Sequence, residues 1–225
     1  MIRAGLTQVI AQIANRVLWL PAYRSLTSLT EGDRTNTTLT KPAAVASGDK
    51  LVAGISMSGA TGYDPVVTPP AGWTLLTKRT HTGADWVSHT HWYWKDAGAS
   101  EPASYTWNHA TGLGSSMMFA ISETPLGAPT FTAQNGTGNT STALSLTTTR
   151  SNQVIAFLSE GWNAHNGTRS APTGTTPAFT ERLDTEFQYI YLATGVLASA
   201  GATGNKTHVT NNGASDPWSA LLIAF

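Results

Sequence analysis

The sequence contains no cysteine. That excludes disulfide staples, thiolate metal sites and cysteine nucleophiles. Charge is scarce too. Lys plus Arg and Asp plus Glu each number 13, the formal net charge is zero, and charged residues are 12% of the chain against roughly 25% in ordinary globular proteins. This balance argues against a basic nucleic-acid surface and against an acidic tail. The first 20 residues carry no unbroken apolar run, because Gln8, Gln12, Asn15 and Arg16 interrupt it. They fit neither a membrane span, which needs about 20 apolar positions, nor a well-formed signal peptide. There is no GxSxG, no phosphate loop and no zinc-protease motif.

What remains is a 225-residue chain rich in Thr, Ser, Asn, Gly and Ala, with eight Trp. It is long enough to bury a substantial core. At the N-terminus, Ile2, Leu6, Val9, Ile13, Val17 and Leu20 recur at spacings of four and three. This is one stripe of an amphipathic helix, stopped by Pro21. Such a helix packs on its own domain, docks on a partner or bundles with copies of itself; a leftover targeting segment is the minor reading.

From Thr35 onward the pattern changes to short runs of Val, Ile, Thr and aromatics, broken by turn signals such as Ser47-Gly48-Asp49, Pro69-Pro70-Ala71-Gly72 and Asn135-Gly136. Strands are expected near 35–40, 50–58, 73–81, 85–95, 103–108 and 115–123. A second set is expected near 130–134, 142–148, 153–159, 178–184, 186–197, 205–210 and 217–225. This is an all-β chain. On strand 85–95, Trp86, Trp92 and Trp94 share one face, expected to be core, and His89 and His91 share the other, expected to look outward.

The two halves echo each other. GDKLVAGIS at 48–56 matches SNQVIAFLS at 151–159, and the stretch ending Trp73-Thr74 matches the one ending Phe179-Thr180. EPASYTWN at 101–108 sits opposite GNKTHVTN from Gly204, and MMFAI at 117–121 matches LLIAF at 221–225. Four matches in one order argue for internal duplication, with half-repeats about 35–124 and 130–225. The short connection from Glu123 to Thr130 favours one continuous jelly-roll-like antiparallel sandwich over residues 31–225, with residues 1–30 as a separate helix and attachment segment.

Several stretches taken together resemble a module of bacteriophage virion proteins and some bacterial surface proteins. They are Val45 to Ala53, Thr68 to Thr74, Trp92 to Lys95, Ala99 to Trp107, Thr180 to Asp184, Ala198 to Gly204 and Pro217 to Phe225. The resemblance covers roughly residues 35–225. It implies a β-sandwich on the phage particle surface, in a tail fibre, head fibre or capsid decoration, that is structural or binds host cell-surface glycans. It brings no catalytic residues and no cofactor. Residues 1–30, outside the resemblance, are the expected attachment to other virion proteins, in a homo-oligomer for which a trimer is favoured. An extracellular bacterial surface protein is the alternative.

Candidate chemistry is thin. The run Trp162-Asn163-Ala164-His165-Asn166 sets an aromatic ring among hydrogen-bonding side chains in one loop, a kit that suits a sugar, and Tyr63-Asp64 in loop 59–68 is a weaker kit of the same kind. His89 and His91 are weak metal candidates, about 7 Å apart along a strand and lacking a third ligand unless His81, Asp85 or His109 lies near. The carboxylate pair Glu181 and Asp184, or Glu160 with a partner from loop 59–68, is the most a glycosidase reading can draw on, and no spacing signature supports it. No enzymatic activity and no metal are therefore expected.

Overall fold

The computed structural model describes residues 20–29, 32–122, 124–161, 171–173, 176–185, 190–209 and 216–225. The expected helix positions Ile2, Leu6, Val9, Ile13 and Val17, and the loop residues Trp162, Asn163, His165 and Asn166, lie outside them. Among the described residues every regular element is a strand.

The first half supplies β1 (Ala22–Leu29), β2 (Asp33–Thr40), β3 (Lys50–Ala60), β4 (Thr74–Thr82), β5 (Trp86–Asp96), β6 (Ser104–Leu113) and β7 (Ser116–Ser122). The second supplies β8 (Thr130–Thr137), β9 (Thr140–Ala143), β10 (Thr147–Thr148), β11 (Gln153–Gly161), β12 (Thr180–Asp184), β13 (Ile190–Leu197), β14 (Gly201–Ala202), β15 (Lys206–Val209) and β16 (Pro217–Ala224). β1 lies inside the segment assigned above to attachment, and it runs antiparallel to β7 from Ala22↔Ser122 to Leu29↔Ser116.

Both halves build the same antiparallel order. The first sheet reads β1-β7-β3-β5-β4 and the second reads β8-β16-β11-β13-β12. The outer pairs β2–β6 and β9–β15 also correspond. A β-bulge interrupts β4 between Leu75 and Thr77 and its counterpart β12 between Glu181 and Leu183. In each half the long connection into that bulged strand makes one bridge to the outer layer, Thr68↔Asn108 in the first and Thr173↔Thr207 in the second.

Side-chain alternation along the strands then sets two facing sheets with an outer strand pair on each. Val52, Trp92, Met117, Phe119 and Ile121 of the first sheet meet Val154, Ala156, Leu158, Leu192, Leu221 and Ile223 of the second in a shared middle core. The alternate residues Leu51, Ala53, Ile55, Met57, Tyr93 and Met118 face the other way, under Leu39, Tyr105 and Trp107 of β2 and β6. Ile155, Phe157, Tyr191, Ala193 and Leu222 do the same in the second half, packed with Ala143, Leu146 and Trp218. The two sheets thus face each other across the middle core as an antiparallel β-sandwich, with the β2–β6 and β9–β15 pairs packed on its outer faces. Five-stranded sheets buried on both faces also explain the unbroken apolar runs of β3, β7, β11 and β16, which carry almost no polar alternation. Each fully buried Leu, Ile or Phe in such a layer contributes about 1.5–3 kcal/mol.

Close packing of the sheets also has a local sequence cause. Gly54 pairs directly with Trp92, and Gly136 with Trp218. The missing side chain on each glycine is the space the indole fills: a Cβ on Gly54 would lie 2.5 Å from the Trp92 ring.

The two sheets share their poles. At one, here called the base, Lys50 Nζ donates to Gly127 O at 2.5 Å and Gln153 Nε2 donates to Phe225 O at 3.1 Å. Ala22 begins β1 at this pole, paired with the end of β7. At the opposite pole, Arg79 Nε donates to Asn135 Oδ1 at 3.0 Å, linking β4 to β8. Strands of eight to eleven residues separate the poles by about 30 Å.

Candidate functional site

Two connections leave the upper pole, after β3 in the first half and after β11 in the second. They are the two that carry the candidate glycan residues. The first, residues 61–73, is fully described. It opens with a tight turn in which Tyr63 N donates to Ala60 O at 2.9 Å, with Gly62 at φ +90. The Tyr63 ring lies against Gly59, where a Cβ would come within 2.5 Å of it, and Tyr63 OH donates to Ala110 O at 3.2 Å. Only glycines at 59 and 112 leave room for this ring.

The Tyr63 carbonyl accepts from His89 Nε2 at 2.7 Å. A carbonyl can only accept, so His89 carries its proton on Nε2, and Nδ1 accepts from Thr80 Oγ1 at 3.0 Å. Next along the loop, Asp64 is exposed and ion-paired with Lys78. The hydrogen bond from Lys78 holds the Asp64 carboxyl below its usual range. The loop ends on Trp73, whose ring packs edge-on against Trp107 at 5.1 Å and Tyr105 at 5.2 Å. Tyr63 and Asp64 thus sit together at the upper pole, Tyr63 half buried and Asp64 free to meet solvent.

His89 and His91 do not look outward as expected. They are 4% and 5% exposed, because the β2–β6 layer and loop 61–68 cover their face. Both His89 nitrogens are already bonded, and among the described residues no three of His, Cys, Asp and Glu gather as a metal site. His109, on β6, accepts at Nε2 from Thr37 Oγ1 at 2.9 Å and donates from Nδ1 to Ala110 O at 2.9 Å. Burial holds His89, His91 and His109 below the usual imidazole range, His91 at about 4.

The carboxylates named in the sequence are spread apart. Glu181 and Asp184 lie on the edge strand β12, where Tyr191 OH donates to Glu181 Oε2 at 3.4 Å. Glu160 is buried in the seam between the sheets, 1% exposed, where Ser219 donates to it and His81 Nε2 stands 3.5 Å away. No periodicity announces that cluster, since its members come from β4, β11 and β16.

The base pole carries a feature the sequence did not suggest. A cleft of about 290 Å³ runs along the seam, lined by Pro21, Thr124, Pro125, Arg150, Gln153 and Phe225. Leu20 and Leu126, 51% and 78% exposed, flank it. Among the described residues no helix is long and apolar enough to cross a membrane. Comparison with protein-family models, with curated proteins and with solved structures finds no match.

Proposed function

We propose that this chain is a bacteriophage virion structural protein, of a fibre or of a capsid or tail decoration, that attaches to other virion proteins through its N-terminal segment and holds a duplicated β-sandwich away from the particle. The observation that carries this reading is polar: the chain enters β1 at the base, while the long β3–β4 and β11–β12 connections leave from the other end. An attachment protein is tethered at one end and free at the other. The cleft and exposed Leu20 and Leu126 at the base supply a surface for a neighbour. The matching strand orders and the matching bulges support the duplication.

In this reading the protein is not an enzyme, needs no cofactor, binds no nucleic acid and works as an oligomer, with a trimer favoured. Its place is the surface of the phage particle. The docking test must spare β1, so the truncation ends at residue 19 rather than 30. Full-length protein is expected to bind particles lacking it, and the chain without residues 1–19 to lose that binding while keeping its fold. Undiminished binding of the truncated chain would remove the N-terminal segment from the account.

A second reading, a carbohydrate-binding module of a phage or bacterial surface protein, rests on one observation. Tyr63 and Asp64 in the first half, and Trp162, Asn163, His165 and Asn166 in the second, belong to the same connection of the two repeats. Glycan-array binding that disappears in Trp162→Ala and weakens in Asp64→Ala supports it. Equal binding by wild type and both variants excludes these loops.

A further inference from the structure

Three of the six histidines, His89 and His91 from β5 and His109 from β6, gather in the outer layer of the first half. Each ring is buried, and burial keeps it neutral at neutral pH. His89 uses one nitrogen as donor to Tyr63 O and the other as acceptor from Thr80. His109 does the same between Ala110 O and Thr37. His91 stacks on Tyr93 at 6.4 Å, and its Nδ1 is buried with no hydrogen-bond partner.

The surrounding charges do not favour an imidazolium. Lys78 of β4 faces His89 and His91, His81 of β4 faces His89, and Arg34 of β2 faces His109. Asp64, from the loop, is the carboxylate among the described groups facing them, and it is 69% exposed and already paired with Lys78. Tyr63 and Tyr93 add only neutral phenols at neutral pH. A second proton on any of the three rings therefore meets burial and like charge rather than a buried partner.

The same rings hold the loop. His89 grips the Tyr63 carbonyl, and His109 and Tyr63 share the Ala110 carbonyl. Beyond Tyr63 the loop reaches Tyr93, whose hydroxyl donates to Val67 O at 3.4 Å. Tyr63 and Val67 pack on the core that contains Tyr93 and Trp107.

We propose that His89, His91 and His109 form an acid-operated latch: neutral, they keep loop 61–68 closed over the aromatic core of the first half, and protonated, they release it. The direction follows from linkage. These bases lie below their unfolded value in the closed state, so closure is fully favoured above about pH 6.5 and weakens as pH falls toward the closed-state values. His91 alone, held at about 4, raises the opening constant about 70-fold between about pH 7.5 and about pH 4.5. Release would uncover Tyr93 and Trp107 on the outer face of the first sheet. The latch does not depend on the chain's being a virion protein.

The test is hydrogen exchange of the full chain, corrected for the intrinsic pH dependence, at about pH 7.5 and about pH 4.5. Amides of 61–68 are expected to lose about 70-fold protection at the lower pH while β11 and β16 keep theirs. The variant carrying His89→Gln, His91→Gln and His109→Gln, which cannot take the proton, is expected to hold its protection. Equal loss in wild type and variant, or no loss in wild type, overturns the proposal. A histidine titration of the wild-type chain by NMR decides the matter if the variant does not fold. A His91 midpoint well below 6.5 that coincides with loop opening supports the latch, and a midpoint near 6.5 with the loop closed overturns it.

Discussion

His81 Nε2 lies 3.5 Å from Glu160 Oε1, and the two residues belong to opposite sheets. Both side chains are 1% exposed. Ser219 donates to the same carboxylate oxygen, and the other, Oε2, is buried with no hydrogen-bond partner. This polar cluster brings side chains of the two halves within ion-pair distance of each other.

Removing one member should therefore cost more than removing the pair. Glu160→Ala is expected to lose about 3–5 kcal/mol in urea unfolding, because Ser219 stays buried without its acceptor and His81 without the carboxylate beside it. Replacing both His81 and Glu160 by Leu should recover most of that loss. A change within about 0.5 kcal/mol for Glu160→Ala would place the cluster outside the folded seam.

The three cores predict a pattern of additivity. Trp73 and Trp107 touch in the outer core of the first half, and Phe157 lies in that of the second. Each change to Ala should cost about 3–5 kcal/mol. Trp73→Ala and Trp107→Ala together should deviate from additivity by about 0.5–3 kcal/mol, whereas Trp73→Ala with Phe157→Ala should add within about 0.5 kcal/mol. Strong coupling in the second pair would contradict separate outer cores.

Two glycines should respond very differently to alanine. A Cβ on Gly114 would strike the backbone oxygen of Ser56, which cannot swing away. A Cβ on Gly48 meets nothing within 4 Å, but that residue sits at φ +88. Gly48→Ala is expected to cost about 1 kcal/mol from backbone strain. Gly114→Ala is expected to cost about 3 kcal/mol or more from overpacking. Thermal unfolding of the two variants checks the order, and the reverse order would be inconsistent with the packing of β3 against the β6–β7 turn.

Much of this architecture was legible in the sequence. The apolar runs 50–58, 115–123, 153–159 and 217–225 lie where β3, β7, β11 and β16 form, because strands buried on both faces need such runs. The repeat matches fall on strands that hold the same place in the two sheets. Three things were not legible. β1 was missed because Arg24, Ser25 and Ser28 dilute its alternation, as an edge strand's exposure permits. The covered face of His89 and His91 depends on β2 and β6, which pair with each other across a long separation and so leave no local trace on β5. The His81–Glu160–Ser219 cluster is assembled from three distant strands and has no spacing to read. Of the candidate glycan residues, Tyr63 and Asp64 do come together at the upper pole, although the Tyr63 ring is there chiefly as the loop's anchor on Gly59 and Gly112.

The account turns on which end of the molecule faces a particle. Cryo-electron microscopy of phage particles from the source measures this directly. Density for this chain is expected with its base, marked by Pro21 and Phe225, against a neighbouring virion protein, and with Tyr63 and Asp64 at the far end. Particles without the chain, or particles on which Tyr63 and Asp64 face inward and the base is free, would contradict this reading.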